Sequence, residues 1–167
     1  MTGVYVHIPY CVRKGAYCDF CSTADRRDLI PAYQQALTQH MREAAPLAEG
    51  YLVDTVYFGG GTPTWYGAER LADLFGEIKE RYKVLTDGEV TFEANPDSVT
   101  EKGLRALRKA GFNRISLGAQ SANDGILRDL GRRHDWAQVV NAVDLAWKTG
   151  FENISLDLIY GLPGQSR

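Results

Sequence analysis

Five short runs of β-branched and aromatic residues alternate with four amphipathic helical stretches along this chain. The runs are VYVHI (4–8), VDTVYF (53–58), EVTFEA (89–94), NRISLG (113–118) and NISLDLIY (153–160). Between the first two, Tyr33, Leu37 and Met41 recur at helical spacing within 29–45. Leu71, Leu74, Phe75, Ile78 and Tyr82 mark one face of 69–82. Thr100 and Asp135 have the chemistry of N-caps, and Gly111 and Gly150 that of helix stops. They bound two further helices, one carrying Leu104 and Leu107, the other Val139, Val143 and Trp147. Apolar strands separated by helices form a parallel sheet with helices outside it. The predicted fold is α/β, a partial (β/α) TIM-like barrel of five parallel strands, in one domain over 1–167. GFNRISLG (111–118) and GFENISLD (150–157) repeat the passage from helix stop to strand, as successive βα units do. No helix follows the fifth run, which leaves an uncovered edge. The expectation is the N-terminal part of a longer protein.

Composition narrows the partners. A chain of 167 residues with 44% hydrophobic content can build a real core. Its net charge is −2, and no run of Lys and Arg points to nucleic acid. Nothing approaches the roughly 18 consecutive apolar residues of a membrane span. GVYVHI enters directly as a strand, without the pattern of a targeting peptide, so a cytoplasmic location is expected.

Chemistry gathers where the strands end. HIPYC, FGGGTPT, EANPD, GAQS and DLIYGLPG each follow one run. In a parallel sheet these segments share the carboxyl edge, where binding sites form. The glycines of GGGTP (59–63) let backbone approach a ligand closely, or simply make a sharp turn. Glu93, Gln120 and Asp157 are polar positions late in apolar strands, which suits a polar ligand at a shared mouth. Arg132, in LGRRH, supplies a cation nearby or is an ordinary surface residue. His7 and His134 are read as structural.

Cys11, Cys18 and Cys21 are the only cysteines, and all lie within CVRKGAYCDFC (11–21). A disulfide framework spreads its cysteines along a secreted chain. A tight cluster instead suits a metal or redox role. A zinc or structural-thiol module is one reading, although structural zinc usually takes four ligands and three are present. A barrel that binds phosphate through GGGTP is another.

The segments YVHIPYCVRKGAYCDF, VDTVYFGGGTPT, FEANPDSVT, GFNRISLGAQS, LGRRHD and NISLDLIYGLPGQ together resemble radical S-adenosylmethionine (SAM) proteins, over nearly the whole chain and in order. The likeness is to the branch of oxygen-independent coproporphyrinogen III oxidases and haem chaperones of haem metabolism. It implies a [4Fe–4S] cluster held by C-x3-C-x2-C thiolates after the first strand, with one iron left for SAM. Reduction of SAM to a 5′-deoxyadenosyl radical follows in such proteins, an oxidoreductase-type chemistry that requires an assembled cluster. Matched by position, Cys11 and Cys18 are the first and third ligands. Tyr5, Tyr17, Gly60, Gly61, Thr62, Glu93, Gln120, Arg132 and Asp157 match SAM contacts, some of them to a second SAM. Gly15 stands where the second ligand belongs, and Cys21 is the one spare thiol. The resemblance thus implies impaired cluster binding unless Cys21 substitutes. Phe20, where the oxidase type carries a further cysteine, and the lack of that type's N-terminal extension favour the haem-chaperone type. Haem or porphyrin would then be bound by a region beyond this chain.

Overall fold

The computed structural model describes residues 1–15, 17–162 and 164–165. Ala16 in the cysteine segment, and Pro163, Ser166 and Arg167 in GLPGQSR, lie outside the described residues. Among the described residues there are seven strands: β1 (Thr2–Ile8), β2 (Tyr10–Cys11), β3 (Thr23–Ala24), β4 (Leu52–Gly60), β5 (Lys83–Ala94), β6 (Arg114–Gln120) and β7 (Asn153–Leu158). The main sheet has the order β1-β4-β5-β6-β7, with every neighbouring pair parallel. This is the expected five-stranded part of a (β/α) barrel.

Helices α1 (Ile30–Ala44), α3 (Ala68–Arg81), α4 (Glu101–Ala110) and α6 (Trp136–Lys148) match the four periodic stretches. The caps act as their chemistry requires. Thr100 accepts a hydrogen bond from the Gly103 amide. Asp135 and Gln138 form a reciprocal capping box. Gly111 takes the left-handed conformation that stops α4. Two short helices, α2 (Pro63–Tyr66) and α5 (Asp124–Asp129), have too few turns to show a period and are not evident in the sequence.

The sheet divides its residues by parity. Val6, Ile8, Val56, Phe58, Val90, Phe92, Ile115 and Leu117 face the helices and are buried. Phe112 stacks among Phe58, Phe75 and Phe92, with ring centroids 5.2–5.6 Å apart, and is fully buried. Alternate residues carry the polar side: Tyr5, His7, Tyr57, Thr91, Glu93, Ser116, Ser155 and Asp157. A parallel sheet sandwiched between helices would be apolar on both faces. This one is apolar on one face only, so its other face is free for a ligand. Trp147, expected among core residues of α6, is instead 55% exposed, while Ala142 and Ala146 fill that contact.

Candidate functional site

The cysteine segment is a loop closed by backbone. Tyr10–Cys11 pairs in parallel with Thr23–Ala24. The Thr23 amide donates to the Pro9 carbonyl at 2.7 Å, and the Asp25 amide to the Cys11 carbonyl at 3.2 Å. Inside the loop, the Cys18 amide reaches the Gly15 carbonyl at 3.0 Å and Lys14 Nζ the Phe20 carbonyl at 2.9 Å. His7 connects the loop to the sheet. Its Nε2 lies 2.7 Å from the Cys21 carbonyl and its Nδ1 3.0 Å from the Tyr5 hydroxyl. The structural reading of His7 thus has a specific content.

The glycine turn after β4 meets this loop. The Gly61 amide donates to the Ile8 carbonyl and the Thr62 amide to the Tyr10 carbonyl, both at 2.8 Å. A Cβ on Gly61 would lie 2.6 Å from the Tyr10 carbonyl oxygen, so no other residue fits there. Gly60 has φ +115, and a Cβ there would lie 2.5 Å from the His7 ring. Glu93 secures the turn from the neighbouring strand. Its carboxylate accepts from the Gly60 amide at 3.0 Å and from the Tyr57 hydroxyl at 2.8 Å. Burial first, then the Glu93 charge and hydrogen bond, push the Tyr57 phenol up to about 12.

A second line of contacts crosses the mouth. Arg132 donates through Nη1 to the Tyr17 hydroxyl at 3.2 Å, and through Nη2 to Asn95 Oδ1 and to the Gly118 carbonyl. Asn95 Nδ2 donates to Thr62 Oγ1 at 3.1 Å, and Thr62 Oγ1 lies 3.8 Å from Cys11 Sγ. On the far strands, Ser116 Oγ sits 2.9 and 3.0 Å from the two Asp157 carboxylate oxygens. Gln120 ends β6 with φ +66, and its carbonyl accepts from the Ile159 amide. His134 is buried and faces the Ala119 carbonyl; burial pushes its imidazole below the ordinary range.

These elements enclose one cavity of about 500 Å³. Cys11, Tyr17, Cys18, Gly60, Gly61 and Thr62 from the first two strand ends line it together with Glu93, Gln120, Arg132 and Asp157 from the later ones. Two of the candidate positions lie elsewhere. Tyr5 is not on the wall; its ring stacks on Tyr57 at 6.1 Å, one step from Glu93. Cys21 is exposed and also absent from the wall. Asn95 and Ser116 line the same cavity and were not singled out in the sequence. Asn95 was detectable as the first polar residue after β5, within the EANPD motif. Ser116 had no signal beyond its parity on β6.

The radical SAM superfamily profile matches residues 5–167. The chain belongs to the radical SAM superfamily. Its curated relatives include the heme chaperone HemW of Mycobacterium tuberculosis, 39% identical over 98% of this chain and 43% of that protein. HemW of Bacillus subtilis is 38% identical over 99% of this chain and 44% of its own. The solved coproporphyrinogen III oxidase HemN of Escherichia coli superposes with a TM-score of 0.90 and 33% identity, over 98% of this chain and 38% of that one. Methylornithine synthase PylB, at 15% identity and a TM-score of 0.66, shares the fold. This radical SAM chain therefore spans less than half the length of these curated relatives and corresponds to part of their barrel. Among the described residues, no helix is long and apolar enough to cross a membrane.

The superfamily works through SAM and a [4Fe–4S] cluster, and the residues present fit the two unequally. Among the described residues, Arg132 Nε is buried without a partner at the cavity wall and Asp157 accepts from Ser116 alone; both suit a zwitterionic ligand. The cluster fits poorly. Two thiols, Cys11 and Cys18, line the cavity, and Gly15 lies between them in sequence. Among the described residues no group of three His, Cys, Asp or Glu side chains is placed to share a metal. The backbone does not require glycine at 15: its φ is outside the left-handed region, and the nearest atoms a Cβ there would meet belong to the Tyr17 ring, at 3.0 Å.

Proposed function

We propose that this chain is the SAM-binding core of a haem chaperone of the HemW kind, with a cluster site one thiolate short. The observation that carries the reading is the convergence of ten family-matched positions from five strand ends on a single cavity. Glu93 shapes the Gly60–Thr62 turn against which SAM would lie, while Arg132, Gln120 and Asp157 offer its polar groups a cation, an amide and a carboxylate. SAM, when bound, supplies a sulfonium whose cleavage is the chemistry of the family. Cys11 and Cys18 would contribute two ligands to the cluster, with Tyr17 and Gly15 between them. Haem handling enters from the relatives' names and rests on the parts of those proteins that this chain does not span.

SAM binding tests the cavity assignment directly by titration calorimetry. Arg132→Met and Asp157→Asn should each weaken binding roughly tenfold, the effect of losing one charge-assisted contact. Unchanged affinity in both variants would place SAM elsewhere. Anaerobic reconstitution with iron and sulfide tests the cluster site. Gly15→Cys should take up markedly more iron and sulfide than the parent, because the Tyr17 ring is 38% exposed and can yield to the new side chain. Equal uptake by both would assign the third ligand to Cys21.

The likeness to HemN supports a second reading, coproporphyrinogen III oxidation. Turnover of coproporphyrinogen III by the reconstituted full-length Gly15→Cys protein would favour it. Haem binding without turnover favours the chaperone.

A further inference from the structure

The end of β6 departs from a regular strand. Its pairing with β5 stops at Leu117, and its pairing with β7 steps from Leu117–Leu156 to Gln120–Leu158, so that Gly118 and Ala119 together oppose the single residue Asp157. Just beyond, the Ser121 amide donates to the Ala119 carbonyl at 2.8 Å across Gln120, whose φ is +66. A hydrogen bond closed over one residue of positive φ is the rare form of γ-turn, and a residue other than glycine keeps it only where the surroundings impose it. The Gln120 side chain lies back over Gly118, where a Cβ would come within 2.8 Å of its Nε2, and both residues line the cavity.

The segment after α5 supplies the constraint. Arg132 Nη2 donates to the Gly118 carbonyl and His134 Nε2 to the Ala119 carbonyl, each at 3.1 Å. A carbonyl only accepts, so Nε2 carries the imidazole proton. His134 is 4% exposed and does not line the cavity, and among the described residues its Nδ1 has no partner. Burying an imidazole that is used at one nitrogen is costly. The bond it does make goes to the carbonyl on which the Gln120 turn closes. We propose that His134 is a positioning residue for SAM: by holding the Ala119 carbonyl it keeps this turn closed and the Gln120 amide directed into the cavity. The inference deepens the SAM-core reading and rests on it for the identity of the ligand.

The test is titration calorimetry with SAM on the parent, His134→Leu, His134→Gln, Gln120→Ala and the double variant His134→Leu/Gln120→Ala, with amide exchange of Ser121 followed by NMR. His134→Leu should weaken SAM binding roughly fivefold, about what one neutral hydrogen bond supplies. His134→Gln brings an amide donor near the place of Nε2 and should recover most of that loss. Adding His134→Leu to Gln120→Ala should cost little beyond Gln120→Ala alone, because the effect passes through Gln120; independent effects would multiply. The Ser121 amide should exchange several times faster in His134→Leu than in the parent. Unchanged Ser121 exchange overturns the proposal, as does a loss of affinity that multiplies with that of Gln120→Ala. If His134→Leu does not fold, His134→Asn, polar but too short to reach the Ala119 carbonyl, replaces it with the same expectations. If the parent binds SAM and the His134 variants bind it equally well, this inference falls alone and the core reading survives. If the parent binds no SAM, the core reading falls, and the role of His134 toward SAM with it.

Discussion

Glu93 shows how one side chain serves two purposes. It fixes the backbone of the glycine turn and raises the neighbouring phenol of Tyr57, and both effects depend on its negative charge. Tyr33 is likewise pushed up to about 12, chiefly by burial. A phenol whose folded pKa is raised favours the native state below the ordinary value near 10, and that contribution is lost as pH rises through about 12. Alkaline unfolding is therefore expected above the ordinary tyrosine range. In Glu93→Gln the Tyr57 transition should move to lower pH without reaching the exposed value, because burial persists. Phenolate absorbance against pH checks this; an unmoved transition would remove Glu93 as a cause. At this scale the sequence was informative about charge and less so about partners. Glu93, Gln120 and Asp157 stood out because polar residues are costly late in apolar strands. Asn95 did not, because a polar residue just past a strand is ordinary, and its bridging between Arg132 and Thr62 depends on three separate elements meeting.

Among the elements, the long helices and the main strands were legible because each repeats its period several times. The two-residue strands β2 and β3 were not: a pair so short has no period, and the meetings of Pro9 with Thr23 and of Cys11 with Asp25 define it. The same contrast ranks the elements by stability. Phe112 follows the α4 stop and fills the space between two strands and α3, so Phe112→Ala should cost about 3–5 kcal/mol. Asp135→Ala removes one cap from α6 and should cost about 1 kcal/mol. Urea denaturation of the two variants gives the comparison. A smaller loss for the phenylalanine than for the cap would mean that the aromatic cluster is not the centre of the core.

For the whole molecule, parity on the sheet explains both fold and site. The α/β class and the cavity at the strand ends follow from the same alternation, apolar toward the helices and polar toward the mouth. At β7 this order is incomplete, since Leu156 and Leu158 are 40% and 65% exposed and Tyr160 beyond them is 93% exposed. The clamp around the cysteine segment has its own consequence. Because Pro9, Cys11, Thr23 and Asp25 close its two ends through main-chain atoms, that closure does not draw on the thiols it carries. A ligand exchanged within the loop therefore leaves its two ends clasped, and the frame stays the same whichever side chains it presents.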